Sequence, residues 1–203
     1  EVLVILGPSG VGKSTVLKLM AGLLAPTSGT LEITAPNSGV GTRMVFQSPR
    51  LFPWLSVRGN LEFALRSAGV SKLEWKKRIQ ALMEQVGLGD ALDQATSELS
   101  IGMAQRVALV RSLVCQPGTL LLDEPFSALD PKRRTQLQQD LLKLVSYTGV
   151  SVVMVTHDIQ EALDIGDQIV VLDGSPAEVA CVIQAASQSA EVSRVQLERY
   201  LLS

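Results

Sequence analysis

Residues 2–21 constrain the fold more than any other stretch of the chain. Val2-Leu3-Val4-Ile5-Leu6 is a short apolar run rich in β-branched side chains, the pattern of a strand buried on both faces. Gly7-Pro8-Ser9-Gly10-Val11-Gly12-Lys13-Ser14-Thr15 follows at once and fits G-x-x-x-x-G-K-[ST], the phosphate-binding loop. Residues 16–21 then read as helix and stop at Gly22, a good residue just past a helix end. Strand, glycine loop and helix therefore fall in the order a phosphate cradle requires.

The residue types match that chemistry. Gly7, Gly10 and Gly12 free the backbone so that successive N–H groups can turn inward around phosphate oxygens. A helix opening at Lys13 adds the positive end of its dipole. Lys13 brings a cation to the β- and γ-phosphates, and Ser14 offers a hydroxyl to Mg²⁺. The motif by itself does not separate ATPase, GTPase and kinase.

The rest of the composition narrows the setting. The 203 residues suffice for one domain with a sizeable core, and 46% of them are apolar. A net charge of −2 and a low aromatic content give no nucleic-acid surface and no platform for stacking single-stranded bases. Cys115 and Cys181 stand apart in apolar settings and suggest neither a disulfide nor a metal site. No apolar run approaches the length of a membrane span and no signal peptide is visible, so a soluble, reducing compartment is expected.

Along the chain, residues 30–34 and 43–46 read as short strands, and Gln47 stands just beyond the second. It is either a water-facing loop residue or, as a polar group past a buried strand end, part of a site. Phe52-Pro53-Trp54-Leu55 is either core packing or an apolar patch for a partner. Residues 56–116 read as mostly helical. Ser71-Lys72-Leu73-Glu74 fits a capping box, and Trp75, Ile79, Leu82, Met83 and Val86 repeat at helical spacing. Ser100 is placed to cap a helix running to Gln116, and a capped N-terminus is also an anion site. Residues 119–122 form an apolar run ending in Asp123-Glu124. With the glycine loop present, these read as a Mg²⁺-shell carboxylate and a carboxylate facing an attacking water. Asp130 and Pro131 begin a helix with Leu137, Leu141, Leu144 and Val145 on its buried stripe. Residues 150–155 form a buried strand that leads to His157, the only histidine. A hairpin over 168–183 and a closing helix over 194–202 complete the reading.

Together these stretches resemble the ATP-binding subunit of ABC transporters, over nearly the whole chain. The resemblance rests on residues 7–15, Gln47, residues 99–106, 120–124 and 127–130, and His157, in the family's order and approximate spacing. Phe46-Gln47, the 51–55 stretch and Met103 in the Leu-Ser-x-Gly-Met run look most like importers of nitrate, sulfonate and taurine. The implied fold is α/β: a P-loop NTPase core, approximately residues 1–50 and 117–203, with a mostly parallel sheet and an inserted helical subdomain at approximately 51–116. The implied ligands are ATP and Mg²⁺, and the implied activity is ATP hydrolysis coupled to import.

The family's residue roles carry over position by position. Gly7, Pro8, Ser9, Gly10, Val11, Gly12, Lys13, Ser14 and Thr15 would hold ATP, with Ser14, Gln47 and Asp123 at Mg²⁺. Glu124 would serve as general base and His157 would contact the γ-phosphate. Ser100 and Gly102 would reach the γ-phosphate of a second ATP-binding subunit paired head to tail, with Asp130 working across that interface. Transmembrane permease subunits, and indirectly a periplasmic or lipoprotein substrate-binding protein, would be the other partners, at the cytoplasmic face of the cell membrane. The family usually has further strands before the glycine loop and an aromatic residue that stacks on adenine. With the chain beginning at Glu1, that aromatic is expected to be missing. Ile101 stands where the family usually has glycine, adding a branched side chain beside the phosphate contact. The alternative readings are an ABC-type ATPase not coupled to transport and a weakly active regulatory subunit.

Overall fold

The computed structural model describes residues 1–33, 41–184, Val195 and Leu197. It divides into two compact units, one of Glu1–Thr34, Leu121–Glu124 and Ser151–Ser203, the other of Ala35–Leu120 and Pro125–Val150. The first is built around β1 (Val2–Leu6). This strand pairs in parallel with β4 (Ser151–Thr156) on one side and β5 (Gln168–Asp173) on the other. Val4 sits level with Met154 and Ile169, and all three are fully buried. Burial on both faces explains why β1 reads as an unbroken apolar run rather than an alternation. Helices α1 (Lys13–Met20) and α6 (Ile159–Ile165) pack on β4 and β1. The strand β6 (Glu178–Gln184) closes the edge as an antiparallel hairpin with β5, as the sequence suggests.

β3 (Thr119–Asp123) contributes its last residues to this unit and its first to the other, where β2 (Thr42–Val45) lies beside it. The resulting strand order is β2-β3-β4-β1-β5-β6. This mostly parallel α/β sheet is the architecture expected from the sequence. The second unit is otherwise helical: α2 (Val57–Ser67), α3 (Lys72–Gln85), α4 (Ile101–Leu113) and α5 (Pro131–Thr148). Val107, Ala108, Leu109 and Val110 are consecutive and buried, so α4 is apolar all round over that turn. It accordingly sits among α2, α3, α5 and β2.

Several local expectations change. Residues 30–33 form no strand: Leu31 and Ile33 are exposed, and nothing among the described residues buries the apolar face that would reward pairing. Thr34 lies outside the described residues, as does the closing helix over 194–202 except for Val195 and Leu197, which are helical. Ser71 caps α3 by accepting from the Leu73 amide, but the capping box does not close. The Glu74 carboxylate turns instead to Arg78, one turn along. Helix α4 ends at Leu113 rather than Gln116, and Val145 is only half-buried.

A buried ion pair ties α4 to α5. Arg106 Nε lies 2.7 Å from Asp140 Oδ2, with the Asp140 side chain almost entirely buried. The two atoms are close but not aligned as a hydrogen bond. Gln136 Nε2 donates to the other Asp140 oxygen at 3.1 Å. Removing one partner of such a pair leaves the other charge desolvated. Asp140→Ala should therefore destabilise the protein by ~2–4 kcal/mol and Asp140→Asn by less, read from urea unfolding.

Candidate functional site

The first unit brings five predicted residues to the ends of adjacent strands. The loop after β1 is held open by Gly10 and Gly12, with φ of 86° and 110°. Gly12 stands at the N-cap of α1 and supplies no side-chain cap, so the helix's first amides stay available to an anion. Lys13 follows, buried, and its Nζ donates to the carbonyls of Gly7 and Pro8 at 2.8 and 2.9 Å. Burial lowers its pKa from the ordinary lysine value, against the opposing pull of Glu124 and Asp123. A lysine so placed gains from any anion that enters the loop.

Ser14, one residue on, donates its hydroxyl to Asp123 Oδ1 at 2.7 Å. A hydroxyl and a carboxylate side by side are hard oxygen donors of the kind Mg²⁺ takes, completed by phosphate oxygens and water. Among the described residues no group of three or more His, Cys, Asp or Glu side chains could hold a metal by itself.

Glu124 follows Asp123 in a left-handed conformation, φ 44°, uncommon for a residue with a side chain. Its amide donates to Val155 O at 3.2 Å, which levels the ends of β3 and β4. His157 Nδ1 lies 3.3 Å from Glu124 Oε2, and half of the histidine side chain is exposed. The turn bearing His157 is braced from beneath. Thr156 Oγ1 donates to the buried Glu161 at 2.6 Å and accepts from the Asp158 amide, while Asp158 caps α6. Lone-histidine reasoning did not find this brace. Its only trace in the sequence is a threonine and a glutamate on either side of a cap.

The other candidates lie in the second unit. Gln47 is exposed and its Nε2 donates to Ser127 Oγ at 3.1 Å, so it is not simply a water-facing loop residue. Ser100 Oγ accepts from the Met103 amide at 3.3 Å and caps α4. Ile101 is exposed at the first helical position, and Gly102 has open space where a Cβ would stand. Asp130 caps α5 by accepting from the Arg133 amide at 3.1 Å, with Pro131 next. Trp54 is 76% exposed, which overturns core packing for the aromatic patch. The loop is displayed by the fully buried Asn60, whose side chain accepts from Phe52 N and donates to Phe52 O and Ser56 O.

A phosphate cradle, a buried lysine, a serine–aspartate pair and a carboxylate beside a histidine, all on strand ends of an α/β sheet, define a P-loop nucleotide hydrolase. The family model described as ABC transporter matches residues 1–127, and this chain belongs to that family. Among its relatives is the taurine import ATP-binding protein TauB of Roseobacter denitrificans. It is 44% identical over 184 residues, spanning 88% of this chain and 68% of the relative. The aliphatic sulfonates import ATP-binding protein SsuB 1 of Xanthomonas axonopodis pv. citri is 44% identical over 185 residues, 89% of this chain and 73% of the relative. The solved structure of cbiO1 from Clostridium perfringens, part of the ABC transporter complex cbiONQ, superposes with a TM-score of 0.81 at 28% identity. That match covers 98% of this chain and 83% of the other.

Gly7 tests the cradle. A Cβ there would stand 2.5 Å from the carbonyl oxygen of Leu172 in β5. Gly7→Ala should force the loop and strand apart, costing ~1–3 kcal/mol in unfolding experiments and weakening nucleotide binding in titration.

Proposed function

We propose that this chain binds and hydrolyses ATP to power import of taurine, an aliphatic sulfonate, nitrate or a related small anion. The observation that carries the reading is the convergence of Lys13, Ser14, Asp123, Glu124 and His157 in one unit. The substrate class is supported by the printed names of the relatives. The selectivity itself would lie in partner subunits.

In the proposed mechanism, residues 7–15 wrap the phosphates with backbone N–H groups. Lys13 exchanges its carbonyl partners for β- and γ-phosphate oxygens. Ser14 and Asp123, with Gln47, would hold Mg²⁺, which when bound neutralises charge shared between phosphate oxygens. Glu124 takes the proton of the attacking water as its oxygen bonds to the γ-phosphorus and the bond to the ADP oxygen breaks. His157, positioned by Glu124 and by the braced turn beneath it, contacts the γ-phosphate. Ser100 and Gly102 would meet the γ-phosphate of a second subunit, with Asp130 at the shared interface. The exposed Ile101 adds bulk there. The core would comprise approximately residues 1–50 and 117–203, and the helical subdomain approximately residues 51–116.

The same reading gives the aromatic loop a use. The Phe52 and Trp54 rings lie tilted at 41° with centroids 5.4 Å apart, and Phe52 meets Phe63 edge-on at 4.7 Å. With Trp54 and Phe63 exposed, this is an apolar surface suited to a segment of a membrane-spanning permease subunit at the cytoplasmic face of the membrane. No helix among the described residues is long and apolar enough to cross a membrane itself.

Lys13→Ala should weaken ATP binding by about tenfold or more, since the point charge at the phosphates is gone. Glu124→Gln should leave affinity intact and lower turnover by about 10²–10⁴-fold, because an amide takes no proton. Equilibrium titration and a phosphate-release assay separate the two, and parental turnover in Glu124→Gln would refute the base assignment. Trp54→Ser should reduce recovery of the assembled transporter by about tenfold while basal ATPase activity changes by less than about twofold. Co-purification with the permease and turnover of the isolated chain measure these effects.

A further inference from the structure

Residues 47–50, in the loop that follows β2, are held by side chains of α4. Gln105, 1% exposed on α4, donates from Nε2 to the carbonyl oxygen of Gln47 at 2.8 Å. Six residues further along α4, Arg111 donates from Nη2 to Pro49 O at 3.0 Å and from Nη1 to Arg50 O at 2.7 Å. Three carbonyls within four residues are thus taken by two side chains of one helix. The segment between them is not relaxed: Arg50 has φ 45°, a left-handed conformation that a side chain disfavours. Its guanidinium lies 3.8 Å over the Phe46 ring, closing the turn on itself. Gln47 leaves this clamped segment with its side chain turned to Ser127.

Neither side chain is explained by packing. A glutamine almost wholly removed from water inside an apolar helix is costly unless its amide is bonded, and its bond goes to the loop rather than to the helix. Arg111 is half-buried, and both its hydrogen bonds end on loop carbonyls that no strand or helix ladder uses.

We propose that Gln105 and Arg111 are positioning residues for Gln47, fastening residues 47–50 to α4 so that loop and helix move as one body. Through this fastening, a shift of α4 resets the backbone from which the Gln47 side chain projects. The inference rests on the reading of Gln47 as a site residue, and it assigns the control of that residue to the helix that Ser100 caps.

The test uses Gln105→Leu, which keeps volume and removes the donor, Arg111→Met, and the milder Arg111→Lys, which keeps the charge and one donor direction. Gln105→Leu and Arg111→Met should speed amide hydrogen exchange over residues 46–51 by about tenfold, with Arg111→Lys between them and the parent. Turnover at saturating ATP should fall by about tenfold in the first two while ATP affinity stays within about twofold. In a Gln47→Ala background, Gln105→Leu should change turnover by less than about twofold, since it acts through a side chain already gone. Unchanged exchange in Gln105→Leu would overturn the clamp. Faster exchange with fully multiplicative losses of turnover would overturn the positioning role and leave the two residues as fold-stabilising only. Parental turnover in Gln47→Ala alone would overturn the reading of Gln47 as a site residue, and the positioning role with it, while the exchange measurement still judges the clamp.

Discussion

Parallel pairing of β1 on both sides is the constraint on which the first unit depends. A strand with parallel neighbours on either edge cannot be reached by a hairpin, so the chain must leave its carboxyl end through a crossover. That exit is the glycine loop, and the crossover opens with α1. The neighbouring β4 ends at the same level, so His157 emerges beside the loop. The Glu124 amide bonded to Val155 brings the end of β3 into line. The chemistry of the site is thus a consequence of strand register: shift β4 by one residue against β1 and His157 turns to the opposite face.

The second unit follows a different rule. Its centre is a helix fully buried over residues 107–110, which is tied to its neighbours by the polar groups it carries. Arg106 pairs with Asp140 on α5, and Gln105 and Arg111 bond to the loop after β2. Asn60 on α2 performs the same service for the loop that displays Trp54. Each of these polar side chains stands where helical periodicity alone would ask for an apolar one.

That difference decides what could be read from the sequence. Continuous apolar runs with punctuating glycines identified β1, β3 and β4 and their terminal residues, because strand ends and cradle residues are neighbours in the chain. Caps at Ser100 and Asp130 were legible for the same reason, their donors lying within the next turn. The capping box at Ser71 failed because Arg78, a turn further on, competes for Glu74. The strand expected at residues 30–34 is not formed over its described residues, 30–33, because β-branched residues favour a pleated, half-buried surface, and no such surface among the described residues covers them. The exposure of Trp54 was undecidable from composition, since an aromatic loop and an aromatic core have the same letters.

The residues that escaped notice share one physical origin. A loop that forms no ladder still has carbonyls to satisfy, and the donors must come from side chains distant in sequence. Gln105 and Gln47 are 58 positions apart, and Arg111 and Arg50 are 61 apart. No local pattern encodes such a pairing, but its donor end leaves a mark: a polar residue at a buried phase of a helix that is otherwise apolar. Gln105 and Asn60 are both polar residues buried in a helix, and both bond to a loop that presents an exposed side chain, Gln47 in one case and Trp54 in the other. At these two positions a buried amide within a helix is therefore better read as the anchor of a loop than as a flaw in a core.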